Sequence, residues 1–68
     1  MKAEFLKKFV EKDVTIAVPH RNLENQRFWY SGRIVEFNDD EEFLILARET
    51  ELVRIEFDDI LSVQIKRH

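Results

Sequence analysis

Hydrophobic and polar positions alternate along most of this chain, and the spacing of the alternation predicts β-strands. The first alternating run ends at Pro19, which cannot donate a hydrogen bond to a neighbouring strand. Apolar runs that alternate or continue for strand length occupy residues 14–18, 28–37, 43–48, 52–57 and 60–65. Most connections between them are short and polar, which favours antiparallel pairing of consecutive strands. The pattern therefore predicts five antiparallel strands.

The residues before the first strand have a different period. Phe5, Leu6, Phe9 and Val10 recur at i, i+1, i+4 and i+5, which places them on one side of a helix. A helix this short is marginal in water unless its apolar side packs against something. We therefore expect an N-terminal helix within residues 1–12 that docks on the sheet.

The predicted second strand, residues 28–37, contains the only Trp, the only Tyr and the only Gly of the chain. A glycine inside a strand marks a bend, a bulge or a close approach of two backbones, and Gly32 is expected to do this here. Both faces of this strand carry apolar residues. Either the core side switches near the bend, or one face meets a partner. A long bent strand lets a small sheet curl on itself. We expect a mostly β fold: a single domain over residues 1–68, with a strongly bent, five-stranded antiparallel SH3-like barrel at 13–68.

Composition narrows the functional classes. The chain has 68 residues and no Cys, which excludes disulfides and thiolate chemistry. Its two His residues do not form a metal-ligand pattern, and no nucleophile motif or phosphate-binding glycine loop is present. No apolar run is long enough to span a bilayer. We expect a non-enzymatic, cytoplasmic protein that has no cofactor, no bound metal and no membrane partner.

Charge is distributed unevenly along the chain. The net charge is −3, with +3 in residues 1–33 and −6 in residues 34–68. An acidic protein is not expected to wrap nucleic acid with its whole surface, but a local basic surface remains compatible with binding.

Two segments resemble the sequence motifs of the Sm-like (Lsm) family. The family's second strand reads Gly-x-hydrophobic-x-x-aromatic and is followed by a polar turn and an apolar strand. The corresponding residues here are Gly32, Ile34 and Phe37, then the turn Asn38 to Glu42 and the run from Phe43. The family's second motif keeps its apolar spacing at Ile55 and Ile60. The resemblance covers nearly the whole chain and implies an Sm-like barrel.

The positions at which this family binds uridine-rich RNA carry different residues. A ring or His and an Asn are expected in the turn after the second strand, where this chain has Asp40 and Glu42. The Arg-Gly pair of the second motif is replaced by Glu56 and Phe57. Carboxylates at these places would repel phosphate. The resemblance thus implies the fold and RNA association, while these acids argue against the family's usual uridine pocket.

The resemblance also implies assembly. Family members form rings in which the fourth strand of one subunit pairs with the fifth strand of the next. The matching strands lack Pro and alternate cleanly, so each is suited to pair with another chain at an exposed edge. We expect a homo-oligomeric ring whose interface includes Leu52, Arg54, Glu56, Leu61, Val63 and Ile65.

A candidate RNA contact surface lies in and before the second strand. The rings of Phe28, Trp29 and Tyr30, with Arg21, Arg27 and Arg33 nearby, could stack bases and bind phosphate. Arg27, Trp29 and Arg33 share strand parity, which supports this interpretation. The alternative is that Phe28 and Tyr30 fill the core while Trp29 packs under the helix or at a subunit contact. The small size of the core favours this alternative.

Two further charged groups are open to two readings. The turn Asp39 to Glu42 could bind a hard divalent cation, but it lacks the spacing of a calcium loop, and a solvated turn is favoured. The lysines of the helix, Lys7, Lys8 and Lys12, could form a basic patch with the C-terminal residues Lys66, Arg67 and His68; solubilising charge is favoured. We expect a small RNA-associated Sm-like protein, the alternative being a module of the same fold that binds protein.

Overall fold

The computed structural model describes residues 2–66. Its order of elements is one short helix followed by five strands, as the sequence predicts. The elements are α1 (Ala3–Leu6), a 3-10 turn (Lys7–Phe9), β1 (Asp13–Pro19), β2 (Arg27–Asn38), β3 (Phe43–Ala47), β4 (Leu52–Glu56), a second 3-10 turn (Phe57–Asp59) and β5 (Ser62–Ile65).

All five strands belong to one antiparallel sheet with the order β4-β3-β2-β1-β5. The two outer strands, β4 and β5, are consecutive in sequence and are joined by only the residues 57–61. In a flat sheet, four spacings of about 4.8 Å would separate the outer strands by roughly 19 Å. Because the connection contains a 3-10 turn, which rises only about 2 Å per residue, it cannot extend that far. The sheet must therefore curve so that β4 and β5 approach each other.

The core lies inside this curve. Its strand residues come from alternate positions, because successive side chains of a strand point to opposite faces. The fully buried members include Val14, Ile16, Ile34, Leu44 and Leu46. Leu6 and Phe9 bring the helical segment onto the same cluster. The predicted docking of the apolar helix side is confirmed for these two residues.

The helical segment is shorter than predicted. It ends at Phe9 instead of continuing to Lys12. Val10 is already extended, and Glu11 takes the left-handed conformation, with φ of 67°. The Glu11 N–H donates to the carbonyl of Ile34 at 3.0 Å, so this segment is held by β2 instead of by helical hydrogen bonds. The apolar spacing in the sequence continues to Val10, but the helical segment ends at Phe9 because the hydrogen bond to Ile34 redirects the chain.

The core side of β2 switches along the strand, as one of the two sequence interpretations expected. The ladder with β3 pairs Ile34 with Leu46 and then Glu36 with Ile45, which leaves Val35 as a bulge. Ile34 and Phe37 consequently both face the core although they lie three residues apart. The bulge lies at Val35 and not at Gly32. The glycine instead allows close approach, since a Cβ atom there would lie 2.3 Å from the backbone oxygen of Ala47.

Candidate nucleotide-binding groove

Along the first half of β2, successive side chains face the inside and the outside of the curved sheet in turn. Phe28 and Tyr30 pair with Val18 and Ile16 of β1, and partners in an antiparallel ladder share a face. Phe28 and Tyr30 therefore lie on the concave side. Trp29 pairs with Ala17 and lies on the opposite side.

The sequence-predicted RNA residues are thus divided between the two sides. Arg27, Trp29 and Arg33 lie on the outer face, where Arg33 pairs with Asp13 through an Nε to Oδ1 distance of 3.3 Å. This ion pair neutralises one of the three outer residues. Arg21 is separated from them and lies in the loop after β1, on the side of Phe28 and Tyr30. The four residues do not form one surface.

Phe28 does not fill the core, contrary to the favoured interpretation. Its side chain is 41% exposed, close to the 46% of Trp29 on the other face. Tyr30 is half-buried and packs against the core cluster. Phe28 remains accessible because it lies near the end of the β1–β2 ladder, at the far end of the sheet from the segment covered by Leu6 and Phe9.

Phe28 and Tyr30 line a groove of about 440 Å³, which lies within the usual range for small-molecule sites. One wall comes from the end of β1 and the following loop, and the other comes from β4. Since β1 and β4 are not neighbours in the sheet, the groove exists only because the sheet curves. We call it the aromatic groove and define it by six lining residues: Val18, His20, Arg21, Phe28, Tyr30 and Val53.

Flat side chains follow one another along this groove. The ring centroids of His20 and Phe28 are 6.3 Å apart, and those of Phe28 and Tyr30 are 4.7 Å apart, with tilts of 58° and 56°. The guanidinium of Arg48 lies 5.2 Å from the Tyr30 ring. The His20 Nδ1 accepts a hydrogen bond from the Asn22 N–H at 3.1 Å.

The other end of β2 leads into the acidic turn that contains Asp40 and Glu42. The Asn38 side-chain oxygen accepts from the Glu41 N–H at 2.9 Å, and the Glu42 carbonyl accepts from the Phe57 N–H at 2.9 Å. Glu42 has φ of 57°. Phe57 is buried against Phe37 with ring centroids 5.1 Å apart. This end of the sheet is organised by backbone bonding and packing.

The acidic side chains of this turn are exposed, and few of them are paired. The Asp39 Oδ2 lies 3.7 Å from the Lys7 Nζ. Outside the turn, the Glu56 Oε1 lies 3.1 Å from the Arg54 Nε. Asp40 and Glu42 form no ion pair within residues 2–66. Over the same residues, no three His, Asp or Glu side chains come together as a metal site would require. Of the second predicted basic patch, Arg67 and His68 lie outside the described residues.

A second groove, of about 650 Å³, lies beside the β3–β4 turn. Its charged groups are largely paired with one another. Arg33 bonds Asp13, and the Arg48 Nη1 donates to the Glu51 Oε1 at 2.9 Å. Its lining contains no aromatic ring. Because most of its charges are already paired, the second groove has fewer groups available to bind a ligand than the aromatic groove.

Sequence reasoning considered Phe28 and Tyr30 as stacking residues but favoured the core for both, and it did not select His20 or Val53. One signal was available. Phe28 and Tyr30 share parity and directly follow a long polar loop, where the end of a small core is open. The position of Val53 opposite them could not be read from the sequence, because β1 and β4 meet only through curvature.

The structure and the sequence were compared with known proteins. No family model, no curated protein and no solved structure matches this chain. The helical segments of residues 2–66 are all too short and too polar to cross a membrane.

Proposed function

We propose that this chain is a small Sm-like protein with an SH3-like barrel, which assembles with copies of itself and associates with RNA through a surface other than the usual uridine pocket. The observation that carries the proposal is the pair of open strand edges. Within residues 2–66, no strand pairs with the outer edge of β4 or of β5. Such edges present unpaired backbone donors and acceptors to a neighbouring chain.

The two edges are suited to each other. β4 has five residues and β5 has four, so their ladders match in length. Exposed apolar side chains accompany both: Leu52 is 70% exposed on β4, and Leu61 and Ile65 are 45% and 51% exposed on or beside β5. A contact between β4 of one copy and β5 of another is head-to-tail, and it closes into a ring when the rotation between copies permits.

RNA association is supported by local chemistry in spite of the net charge of −3. Arg21 is exposed and forms no ion pair within residues 2–66. The accessible ring of Phe28 lines the same groove, and base stacking on such a ring is tolerant of sequence. The acidic turn is expected to keep phosphate away from the other end of the sheet.

The second candidate function is a protein-binding module of the same fold. One observation favours it: the outer-face cation Arg33 is neutralised by Asp13, which leaves Trp29 as an exposed ring on a face with less positive charge. Exposed Trp is common at the centres of protein interfaces.

The assembly proposal is tested by light scattering at high micromolar concentration. We expect the wild-type mass to be a multiple of 8.3 kDa. Leu52→Lys and Ile65→Lys place a charge at each edge and should reduce the mass to that of a monomer. Leu23→Lys is the matched control, because Leu23 is 55% exposed but lies in the loop before β2. A wild-type monomer at this concentration would refute the assembly.

The RNA proposal is tested separately by fluorescence anisotropy with a labelled single-stranded RNA. We expect binding at low salt that weakens as salt increases, since phosphate contacts release counterions. Absence of binding at low salt would reject RNA association and favour the protein-binding alternative.

A further inference from the structure

The aromatic groove brings together an accessible ring, a cation without an ion pair within residues 2–66, and a carboxylate. These groups are Phe28 of β2, Arg21 of the loop after β1, and Asp59 of the second 3-10 turn. The sequence could group the first two, but it could not place Asp59 beside them.

The ring with the most accessible face is Phe28. Its neighbours His20 and Tyr30 are tilted against it by more than 50°, so neither ring stacks flat on it. Tyr30 is partly covered by Arg48, whereas Phe28 is 41% exposed. A flat aromatic ligand can therefore stack on Phe28 and meet the edges of the flanking rings.

Charge in the groove is divided between its walls. Arg21 lies in the loop after β1 and has no ion-pair partner within residues 2–66. Asp59 lies on the opposite side, after β4. Arg54 also reaches the groove, but its guanidinium is engaged by Glu56 at 3.1 Å and lies 3.9 Å from the Phe43 ring. Arg21 is the cation that remains available for an anionic ligand.

We infer that the aromatic groove binds a nucleotide unit. The base stacks on Phe28, the phosphate pairs with Arg21, and Asp59 accepts a hydrogen bond from an N–H of the base. A nucleotide supplies all three complementary features, a π-face, an anion and base donors. The inference rests on the proposed association with RNA, for which it names the contact surface. The same chemistry could also be supplied by a free mononucleotide.

Adjacent residues of β2 provide a matched test. Phe28→Ala removes the ring inside the groove, and Trp29→Ala removes a ring of similar exposure on the opposite face. Arg21→Ala and Arg27→Ala form a second pair, both exposed and without ion pairs within residues 2–66.

Fluorescence anisotropy with a labelled twelve-nucleotide RNA measures the affinity of each variant for RNA. A strand of the same length without bases separates stacking from phosphate contact, and calorimetry with mononucleotides tests the free ligand.

We expect Phe28→Ala to weaken RNA binding about tenfold or more, and Trp29→Ala to leave it within about twofold. Arg21→Ala should weaken binding and flatten its salt dependence, while Arg27→Ala changes it less. For the wild type, the strand without bases should bind more weakly than RNA does. For Phe28→Ala, the two strands should bind equally. Circular dichroism confirms that each variant remains folded.

The outcomes separate this inference from the proposed function. If the wild type binds RNA but Trp29→Ala and Arg27→Ala lose binding while Phe28→Ala and Arg21→Ala retain it, the groove is rejected and RNA association stands. If the wild type binds mononucleotides through Phe28 but binds no RNA, the groove stands and RNA association is rejected. Binding of neither ligand rejects both.

Discussion

The two ends of β2 show how one strand can carry opposite chemistry. Near Phe28 the strand contributes rings to a groove whose available charge includes the cation of Arg21. Near Asn38 it enters a turn of four consecutive acids. The comparison teaches that the two ends of one strand can present different chemistry, because each end meets its own neighbouring loops.

The two ends also differ in what holds them together. The acidic end is fixed by the contact of buried Phe57 with half-buried Phe37 and by the hydrogen bond from the Phe57 N–H to the Glu42 carbonyl. The aromatic end is open, and its rings are only partly buried. Substitutions at the acidic end should therefore change stability, and substitutions at the aromatic end should change binding. Three predictions test this division.

The largest expected effect is at Phe57. Phe57→Ala removes a buried ring and should destabilise the protein by about 3–5 kcal/mol. A domain of this size has a total stability of about 3–10 kcal/mol, so the variant should be largely unfolded or close to it. Urea denaturation followed by circular dichroism measures this. Phe5→Ala is the control, because Phe5 is exposed and should cost much less. Equal losses for the two variants would contradict the packing role of the acidic end.

The middle of the strand should give an intermediate effect. Gly32→Ala places a Cβ 2.3 Å from the Ala47 backbone oxygen, so β2 and β3 must separate. We expect a loss of about 1–3 kcal/mol in the free energy of unfolding. Ser31→Ala is the control; it removes only an exposed hydrogen bond of 3.0 Å to Thr15. If Gly32→Ala is as stable as the wild type, the close approach of the two strands is not a constraint.

The smallest expected effect is at Glu42. This residue has φ of 57°, a conformation that favours glycine, so Glu42→Gly should stabilise the protein by about 0.5–1 kcal/mol. Glu41→Gly removes the same charge without relieving a left-handed backbone and should destabilise by about 0.5–1 kcal/mol. Denaturation midpoints of the two variants should shift in opposite directions. RNA affinity of Glu42→Gly should not decrease; a decrease would assign binding to the acidic end.

Local patterning predicted much of the fold because apolar spacing reports which face of an element is buried. The five strands follow from that spacing, and their antiparallel arrangement follows from the short connections. The spacing left two interpretations of β2 open, and the structure shows that the core side switches. The end of the helix did not follow from it, because a hydrogen bond from Glu11 to Ile34 redirects the chain. The bulge in β2 does not lie at the glycine, because the extra residue in the ladder with β3 is Val35.

The candidate site was less accessible to sequence reasoning. Arg21 was grouped with Arg27, Trp29 and Arg33 as an RNA contact, whereas it lines the aromatic groove and the other three lie on the opposite face of β2. Shared parity placed those three residues on one face, but it could not show on which side of the sheet Arg21 lies. Phe28 was placed in the core because a small core was expected to use every large side chain, whereas the end of the β1–β2 ladder leaves it exposed.

The sequence by itself determined the elements of this protein, their order and the contrast between an early basic half and a late acidic half, because these depend on local periodicity and composition. Only the tertiary structure decided which rings share a groove. Strands β1 and β4 are separated by two strands of the sheet and become facing walls only when the sheet curves. Curvature depends on the short connection between β4 and β5 and on close packing at Gly32, and these act between residues that are distant in sequence.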